Sequence, residues 1–450
     1  MSKPIILFRG PVKTRSGYGA HSRDLLWALK EIDLFDIKID SCLWGSTPLT
    51  ALEDGNEFHE WIEENTVTQF NGLPEIYIQV TVPNEFKRLG KFNIGVTAGI
   101  ETTVAPKDWI DGCNVMDMII TTSNFSKEVL LSTVYNENDK NTNRLIKQHR
   151  IDKPINVLFE GVDRKIYNNN VNDTFKLDIE EDFAYLFVGH WLKGSIGQDR
   201  KDVGMLIKCF VNSFKDEIDK PALILKTSSA SFSVKERENL INRIQKIVGD
   251  DKVPVYLLFG DLKDEEMNDL YNHPKVKAMV SITKGEGFGR PLLEFTMTGK
   301  PVIASNWSGH KDFLPMDYAA MIGGKLTDVD VSAQDNFIIK DSKWFTANYD
   351  EFIHVLKLVK SNYDEFLIKS EKLRIMNSEK FTLDKMKELL KFTPWKNSDT
   401  LVSLGSGSGW WEINCVIHQP AGQLILVDHD FQILTNEEVG ESISYFENTA

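Results

Sequence analysis

Short apolar runs alternate with segments of helical spacing along most of the chain. The first run, Ile5–Phe8, is followed by a glycine turn and then by a segment with apolar residues at Leu25, Leu26 and Leu29. The same order of apolar run, loop and helical segment begins again at Ala184–Val188. Apolar runs of strand length that alternate with helical segments predict parallel strands joined by helices, that is, an α/β fold.

The predicted strands fall into two groups, and a polar, weakly patterned stretch after Asp163 separates them. We therefore predict two Rossmann-like parallel-sheet domains, at 1–165 and 166–380, followed by a helical segment at 381–396. The remaining predicted strands are Ile37–Ile39, Glu75–Val80, Lys91–Val96, Met118–Thr121, Leu223–Lys226, Val255–Gly260, Ala278–Ile282 and Pro301–Ser305.

Composition and charge narrow the class of protein. The 450 residues include 42% hydrophobic residues, enough for two substantial cores, and the net charge of −14 argues against a nucleic-acid-binding surface. Four cysteines stand far apart without metal-ligand or disulfide spacing. No apolar run approaches the ~18 residues of a membrane-spanning helix, and the first residues lack the apolar core of a signal peptide. We expect a cytoplasmic protein, with peripheral contact to a membrane left open.

The densest chemistry lies between Lys284 and Leu314. Glu286 sits in a glycine-rich loop that joins a predicted strand to a short helix, and Glu294 lies eight residues further on. Loop amides and a helix N-terminus favour an anion such as phosphate. Two carboxylates beside a phosphate are understandable if they accept hydrogen bonds from sugar hydroxyls; the alternative is an ordinary helix with a favourable N-terminal glutamate.

This stretch resembles the donor-site signature of retaining GT-B glycosyltransferases of the group 1 type. The resemblance rests on the two glutamates, on Pro291, on Gly299–Ala304 and on Gly309, and Asp312 stands where the family usually has a glutamate. It implies a GT-B fold, in which two Rossmann-like domains face each other across a cleft. It also implies that Glu294 binds the ribose of a nucleotide-sugar, and that Glu286 and the amides of Gly287, Phe288 and Gly289 meet the sugar and the diphosphate.

Two stretches of the N-terminal half match what the family carries on the other side of the cleft. Gly17 and Gly19 form a glycine turn after the first strand, where the backbone can approach the donor or the acceptor; a plain tight turn is the alternative. Glu101 follows another strand, and by resemblance it lies in the cleft near the acceptor or the reacting sugar. A loop glutamate with a local structural role remains the alternative. Lys13 and Arg15 are further candidate anion partners.

A basic pair opens a predicted helix in the second half. Arg200 and Lys201 precede Val203, and their charges would meet the cleft and stabilise a leaving diphosphate. In the family an arginine follows the preceding glycine and a lysine opens the helix. Lys201 matches this lysine, whereas His190 stands in place of the arginine, so Arg200 is the candidate for the missing charge.

The pattern changes in the tail at 398–450. A strand with glycines Gly405, Gly407 and Gly409, a stretch that fits a helix, and a second strand ending at Asp428 resemble the first motif of S-adenosylmethionine-dependent methyltransferases. The motif implies an S-adenosylmethionine site remnant on a short, partial α/β tail. Because so short a segment cannot hold a methyltransferase sheet, we interpret it as a truncated βαβ unit.

Together these features predict a glycosyltransferase, of the kind that transfers hexoses, which moves a sugar from a UDP- or GDP-linked donor to a hydroxyl of a glycan, a lipid or a protein. Glu286, Glu101 and Lys201 are the candidate catalytic residues, and neither a metal ion nor a further cofactor is expected. A non-catalytic module that binds glycans or nucleotides, a phosphorylase or hydrolase, and a bifunctional fragment with methyltransferase activity are the alternatives. Three tryptophans are candidates for stacking on an acceptor sugar or for plain core positions: Trp44, Trp61 and Trp109.

Overall fold

The computed structural model describes residues 3–53, 55–171, 175–228 and 233–390, together with the backbone of three strands between 400 and 427. Its first domain alternates strands and helices, as the apolar pattern predicts. The elements are β1 (Ile5–Gly10), α1 (Gly17–Ile32), β2 (Asp36–Ser41), α2 (Glu57–Glu64), β3 (Ile76–Val80), β4 (Phe92–Thr97), α3 (Lys107–Cys113), β5 (Met118–Thr121), α4 (Asn124–Ser132), β6 (Tyr135–Asn138), β7 (Leu145–His149) and β8 (Ile155–Val157).

Six of these strands form one parallel sheet in the order β2-β1-β3-β4-β5-β8. The central strands β3, β4 and β5 are buried along their whole length, which is why they appear in the sequence as continuous apolar runs. β6 and β7 form a separate antiparallel hairpin with mostly exposed residues. Its residues are largely polar, and the apolar pattern did not predict these two strands.

The second domain repeats the plan. Its elements are β9 (Ala184–Val188), α5 (Val203–Phe214), β10 (Ala222–Lys226), α6 (Val234–Val248), β11 (Val255–Leu258), α7 (Asp264–Asn272), β12 (Val276–Ser281), α8 (Arg290–Thr296), β13 (Val302–Ser305), β14 (Ala320–Ile322), β15 (Gly324–Asp328), β16 (Lys343–Ala347), α9 (Tyr349–Ser361) and α10 (Tyr363–Lys380).

The second sheet has the order β11-β10-β9-β12-β13-β14, again with parallel neighbours. Numbered along the chain this is 3-2-1-4-5-6, the order of doubly wound nucleotide-binding sheets. The predicted fold class, with two parallel-sheet α/β domains, is confirmed. β15 and β16 add an antiparallel hairpin beside this sheet.

The chain returns to the first domain after α10. The last described helix, α11 (Leu383–Leu389), packs against α1, and its apolar residues belong to the core of the first domain. The segments that cross between the domains run side by side. Val162 donates to the carbonyl of Phe381 at 2.9 Å, and Leu383 donates to the carbonyl of Val162 at 3.1 Å.

The tail differs from its prediction. β17 (Thr400–Gly405), β18 (Glu412–Ile417) and β19 (Leu424–Val427) pair antiparallel, whereas a βαβ unit needs parallel strands. The stretch interpreted as a helix contains β18. Gly405 ends β17; Gly407, Gly409 and Asp428 lie outside the described residues.

No helix within the described part of the chain combines the length and the apolar character needed to cross a membrane.

Candidate active site

The candidate site lies where the winding of the second sheet reverses. From β9 the chain proceeds outward to β10 and β11, whereas from β12 it proceeds the other way to β13 and β14. The loops that leave the carboxyl ends of β9 and β12 therefore diverge, and a crevice opens between them. One loop carries Arg200 and Lys201, and the other carries Glu286.

Glu286 lies in this crevice, and its side chain is 10% exposed. Its Oε1 accepts a hydrogen bond from Nζ of Lys201, and its Oε2 lies 3.4 Å from Nη1 of Arg200. Burial acts to raise the pKa of Glu286, but the two cations outweigh it and lower the pKa to about 2. Glu286 is therefore ionised at neutral pH and can accept hydrogen bonds from the hydroxyls of a bound sugar.

Arg200 extends this network to the first domain, because its Nη1 also lies 3.6 Å from Oε1 of Glu101. The four groups alternate in sign, in the order Lys201, Glu286, Arg200, Glu101. Burial lowers the pKa of Lys201, an effect that Glu286 opposes and Arg200 reinforces. The structure thus brings together all three candidate catalytic residues and the second candidate cation.

His190 lies beside these cations without adding a charge. Its Nδ1 is 3.0 Å from the hydroxyl of Ser228. Burial, and then Lys201 and Arg200, lower the pKa of His190 below its usual range, so the imidazole is neutral at pH 7. Arg200, in contact with Glu286, offers the positive charge that His190 does not.

The glycines of the Glu286 loop allow the two domains to approach closely. A Cβ atom on Gly285 would lie 1.9 Å from the carbonyl oxygen of Glu101, and one on Gly287 would lie 2.3 Å from that of Ala98. Gly289 has a φ of 97°, in the left-handed region that favours glycine. Within the described ranges the backbone amides of Gly287, Phe288 and Gly289 have no hydrogen-bond acceptor.

Hydroxyls of the first domain hold the same loop. The carbonyl of Gly287 accepts from Ser123 at 2.6 Å, and the hydroxyls of Thr122 and Ser126 lie 3.4 and 3.5 Å away. Nearby, Oδ2 of Asp312 accepts from the backbone N–H of Asn124 at 2.9 Å and so caps α4 from the opposite domain. This contact joins α4 to the second domain, and no local sequence pattern indicates it.

A buried ion pair supports the loop from below. Nζ of Lys284 lies 3.1 Å from Oδ2 of Asp202, and the two side chains are 1% and 0% exposed. Nζ also donates to the hydroxyl of Thr346 at 3.2 Å, and Tyr349 donates to Asp202 at 2.8 Å. Because Lys284 precedes Gly285 and Asp202 follows Lys201, the pair fixes both sides of the crevice at once. The sequence predicted no role for either residue, because local patterns do not indicate contacts between positions so far apart.

Arg290 joins Glu294 to the first domain. Its Nε donates to Oε1 of Glu294 at 2.8 Å, while Nη1 and Nη2 face the carboxylate of Asp24 on α1. Nη1 also lies 3.9 Å from Oε2 of Glu160, which follows β8. The sequence showed a charged residue at the start of α8, but it carried no signal for partners in another domain.

Arg290 therefore lies within 4 Å of three buried carboxyl groups, those of Asp24, Glu160 and Glu294. Burial raises the pKa of Glu160 to about 8; Arg290 lowers it, and the neighbouring carboxylates raise it. Burial also raises the pKa of Glu294, to about 7, against the opposing effect of Arg290. Glu160 is therefore mostly protonated at pH 7, and Arg290 pairs with Asp24 and Glu294.

The raised pKa of Glu160 gives a prediction about stability. The unfolded chain binds fewer protons than the folded chain between the ordinary glutamate pKa and about 8, so the free energy of unfolding falls as pH rises through this window. Glu160→Gln imitates the protonated form. We expect the substitution to stabilise the protein at pH 8 by on the order of 3 kcal/mol, and by much less at pH 5.

Denaturant unfolding of both proteins at the two pH values measures this difference. Glu60→Gln, at an exposed position of α2, is the matched control and should change little at either pH. Equal effects of Glu160→Gln at pH 5 and pH 8 would contradict the prediction.

The glycine turn of the first domain lies at the start of α1, where Ser16 caps the helix. A Cβ on Gly19 would meet the carbonyl oxygen of Thr14 at 2.3 Å, whereas Gly17 faces open space. Gly19 thus serves local packing, and Gly17 is the position that a ligand can approach. Between them, the hydroxyl of Tyr18 lies 3.0 Å from Thr97 Oγ1, at the strand end that leads to Glu101.

Each cation of this turn has a carboxylate partner. Nε of Arg15 lies 2.9 Å from Oδ2 of Asp261 in the second domain, and Nζ of Lys13 lies 2.7 Å from Oε2 of Glu63 in its own domain. Arg15 therefore takes part in the contact between the domains, whereas Lys13 pairs within the first domain.

The three tryptophans considered for acceptor stacking differ in position. Trp44 stacks on Tyr18 with ring centroids 4.1 Å apart, and it is half-buried. Trp61 packs beside Phe58 at the edge of the first core, and Trp109 is buried in a core cluster. Trp44 is thus the one of the three whose ring contacts a residue of the glycine turn.

Within the described ranges, no three or more histidine, cysteine, aspartate or glutamate side chains are grouped so that they could hold a metal ion.

Comparison with protein families identifies the class to which this site belongs. Residues 180–331 match the model of the family described as Glycosyl transferases group 1. The matched range lies in the second domain and contains Arg200, Lys201, Glu286 and Glu294. The prediction of a glycosyltransferase is confirmed. Comparison with the curated proteins gives no match.

Solved structures extend the likeness of fold to both domains. A glycosyltransferase from Rickettsia africae ESF-5 is 14% identical with a TM-score of 0.57, and 86% of this chain and 97% of that chain are covered. HepE of Anabaena, solved in complex with UDP and glucose, is 12% identical with a TM-score of 0.55, over 86% and 97% of the two chains. Sucrose-phosphate synthase from Thermosynechococcus elongatus is 12% identical with a TM-score of 0.53, over 86% and 96%. These likenesses establish the GT-B fold.

Proposed function

We propose that the protein transfers a hexose from a nucleotide-diphosphate sugar to a hydroxyl of a glycan, a lipid or a protein, with retention of the anomeric configuration. One observation carries the proposal: an ionised Glu286 lies between Lys201 and Arg200 at the reversal point of the sheet. A sugar that donates hydroxyl hydrogen bonds to Glu286 brings its diphosphate within reach of both cations.

The donor occupies the crevice from end to end. The ribose hydroxyls bind Glu294, and the diphosphate binds Lys201, Arg200 and the available amides of 287–289. Positive charge held in place before the reaction stabilises the leaving diphosphate as its negative charge grows. No metal ion takes part in the proposed reaction, because these cations supply positive charge at the diphosphate.

The reaction breaks the bond between the anomeric carbon and the phosphate oxygen, and the diphosphate keeps the electron pair. The acceptor oxygen forms the new bond to the anomeric carbon, and its proton passes to an oxygen of the departing diphosphate. Retention requires the acceptor to approach the face that the diphosphate leaves. Glu101 lies beside Arg200 on the side of the first domain, and the stacked rings of Tyr18 and Trp44 are the proposed aromatic contact for the acceptor. Catalysis consists mainly of positioning these groups.

A panel of UDP- and GDP-linked sugars tests the function. We expect release of UDP or GDP in the presence of an acceptor, and HepE, solved with UDP and glucose, makes UDP-glucose the first donor to try. Binding without turnover across varied acceptors would instead support a non-catalytic binding module. The configuration of the product, read by NMR, decides between retention and inversion.

Glu294→Ala tests the donor assignment directly. Loss of hydrogen bonds from the ribose hydroxyls to the carboxyl group of Glu294 should weaken nucleotide binding by roughly tenfold to 100-fold. Isothermal titration calorimetry with UDP measures the change. Glu371→Ala is the matched control, because Glu371 also pairs with an arginine on a helix of this domain but is exposed on α10. Unchanged affinity in Glu294→Ala would refute the ribose assignment.

A further inference from the structure

We propose that Asp24 of the first domain acts through Arg290 to position Glu294, so that recognition of the nucleotide's ribose depends on contact between the domains. The inference rests on the proposed function, because it takes Glu294 as the ribose-binding carboxylate. Asp24 and Arg290 are positioning residues here.

The guanidinium of Arg290 uses different edges for its two partners. Nε donates to Oε1 of Glu294 at 2.8 Å, one helical turn along α8. Nη1 donates to Oδ2 of Asp24, and Nη2 lies 3.4 Å from Oδ1, so both oxygens of Asp24 are engaged. A planar fork that binds one carboxylate through its end and another through Nε fixes the position of both.

Only one of the two carboxylate oxygens of Glu294 is therefore held by Arg290. Oε1 is held by Arg290, whereas Oε2 lies 3.5 Å from the hydroxyl of Tyr271, the outer limit of a hydrogen bond. The side chain of Glu294 is 9% exposed, so it is largely buried. One oxygen held and one weakly engaged is the arrangement that a carboxylate needs to accept hydrogen bonds from ribose hydroxyls in a fixed geometry.

The contact with Asp24 is available only when the domains are together. Asp24 lies on α1, its side chain is 8% exposed, and the cation that touches it belongs to the second domain. Separation of the domains would release Arg290 from Asp24 and loosen the guanidinium that holds Glu294. By thermodynamic reciprocity, a nucleotide that binds the positioned Glu294 more tightly also favours the closed arrangement.

A simple contact between domains, without influence on the ribose, makes a different prediction. Loss of such a contact would alter stability, or would weaken every ligand of the crevice alike. Positioning of Glu294 affects only ligands that carry ribose hydroxyls. UDP and 2′,3′-dideoxyuridine diphosphate therefore distinguish the two roles of Asp24, since they differ only in those hydroxyls.

The experiment measures the dissociation constants of both nucleotides, or of the guanosine pair if the wild type binds GDP rather than UDP. Asp24→Asn and Arg290→Gln should each raise the dissociation constant of UDP about 5- to 20-fold. The dissociation constant of dideoxy-UDP should change less than about twofold. The double variant should bind UDP no more weakly than Arg290→Gln does, because Asp24 acts only through Arg290. Arg290→Lys keeps a charge beside Asp24 without the fork, so it should fold normally and still lose affinity for UDP.

Asp40→Asn is the matched control, since Asp40 pairs with Arg9 within the first domain and should leave both affinities unchanged. Equal loss for the two nucleotides, or no loss for UDP, would overturn the inference while Glu294→Ala still supports the proposed function. Failure of the wild type to bind UDP or GDP, or of Glu294→Ala to weaken binding, would overturn the ribose assignment and this inference with it.

Discussion

Lys201→Met should lower the rate of sugar transfer by about 10²- to 10³-fold. Nζ of Lys201 contacts Glu286, and the lysine side chain is 13% exposed, so in the proposed reaction water screens its charge only weakly. Because the negative charge on the leaving group grows as the bond breaks, kcat should fall more than KM rises. Initial rates with the donor identified in the panel measure both constants.

Two further variants define this result. Lys201→Arg retains a cation and should recover part of the rate, whereas Lys208→Met, on an exposed position of the same helix α5, should behave as the wild type. A Lys201→Met enzyme that keeps kcat within threefold would exclude a role for this cation in stabilising the leaving group.

Lys284→Met should lower the free energy of unfolding by roughly 3–5 kcal/mol, because it leaves Asp202 buried without its cation. Asp202 is 0% exposed and lies 3.1 Å from Lys284. Burial raises the pKa of Asp202, and Lys284 opposes this effect, so removal of the lysine raises the pKa further. The loss of stability should therefore shrink as pH falls and Asp202 becomes protonated.

Denaturant unfolding followed by tryptophan fluorescence measures this change, since the centre of the Trp344 ring lies 5.6 Å from Nζ of Lys284. Asp202→Asn should also destabilise the protein, and the double variant should lose less than the sum of the single losses, because no charge is left buried. Single variants that each cost less than about 1 kcal/mol would contradict the prediction.

The sequence predicted the two sheets well because their strands are buried. β9 has the predicted bounds, and β3, β5 and β13 differ from theirs by at most one residue, since an apolar run of strand length between loops is compatible with few other structures. The hairpin β15–β16 was missed, because β15 is largely exposed and its residues favour turns as much as strands. The tail resembled a βαβ unit, yet its described strands are antiparallel.

The candidate site divides along a similar line. Glu286 and Glu294 could be proposed from the sequence because they lie in one short stretch, a loop and the helix after it, that resembles a known donor-site signature. Lys201 followed from its place at the start of α5. Asp24 and Arg290 were not found, because they meet only across the contact between two domains, and no local pattern encodes that contact. His190 illustrates the same limit. The family resemblance indicated that an arginine is missing at this position, but not that Arg200 reaches Glu286.

The paired crossing at Val162 and Phe381 limits how the two domains can move. A single connecting segment would let them rotate freely, whereas two parallel segments bonded to each other resist twisting and permit bending across the pair. A Cβ on Gly161 would lie 2.8 Å from the backbone nitrogen of Leu383, so the pivot leaves no room for a side chain there. We expect cleft opening to follow a one-axis hinge, which makes the distance from α1 to α8 a suitable coordinate for fluorescence energy transfer.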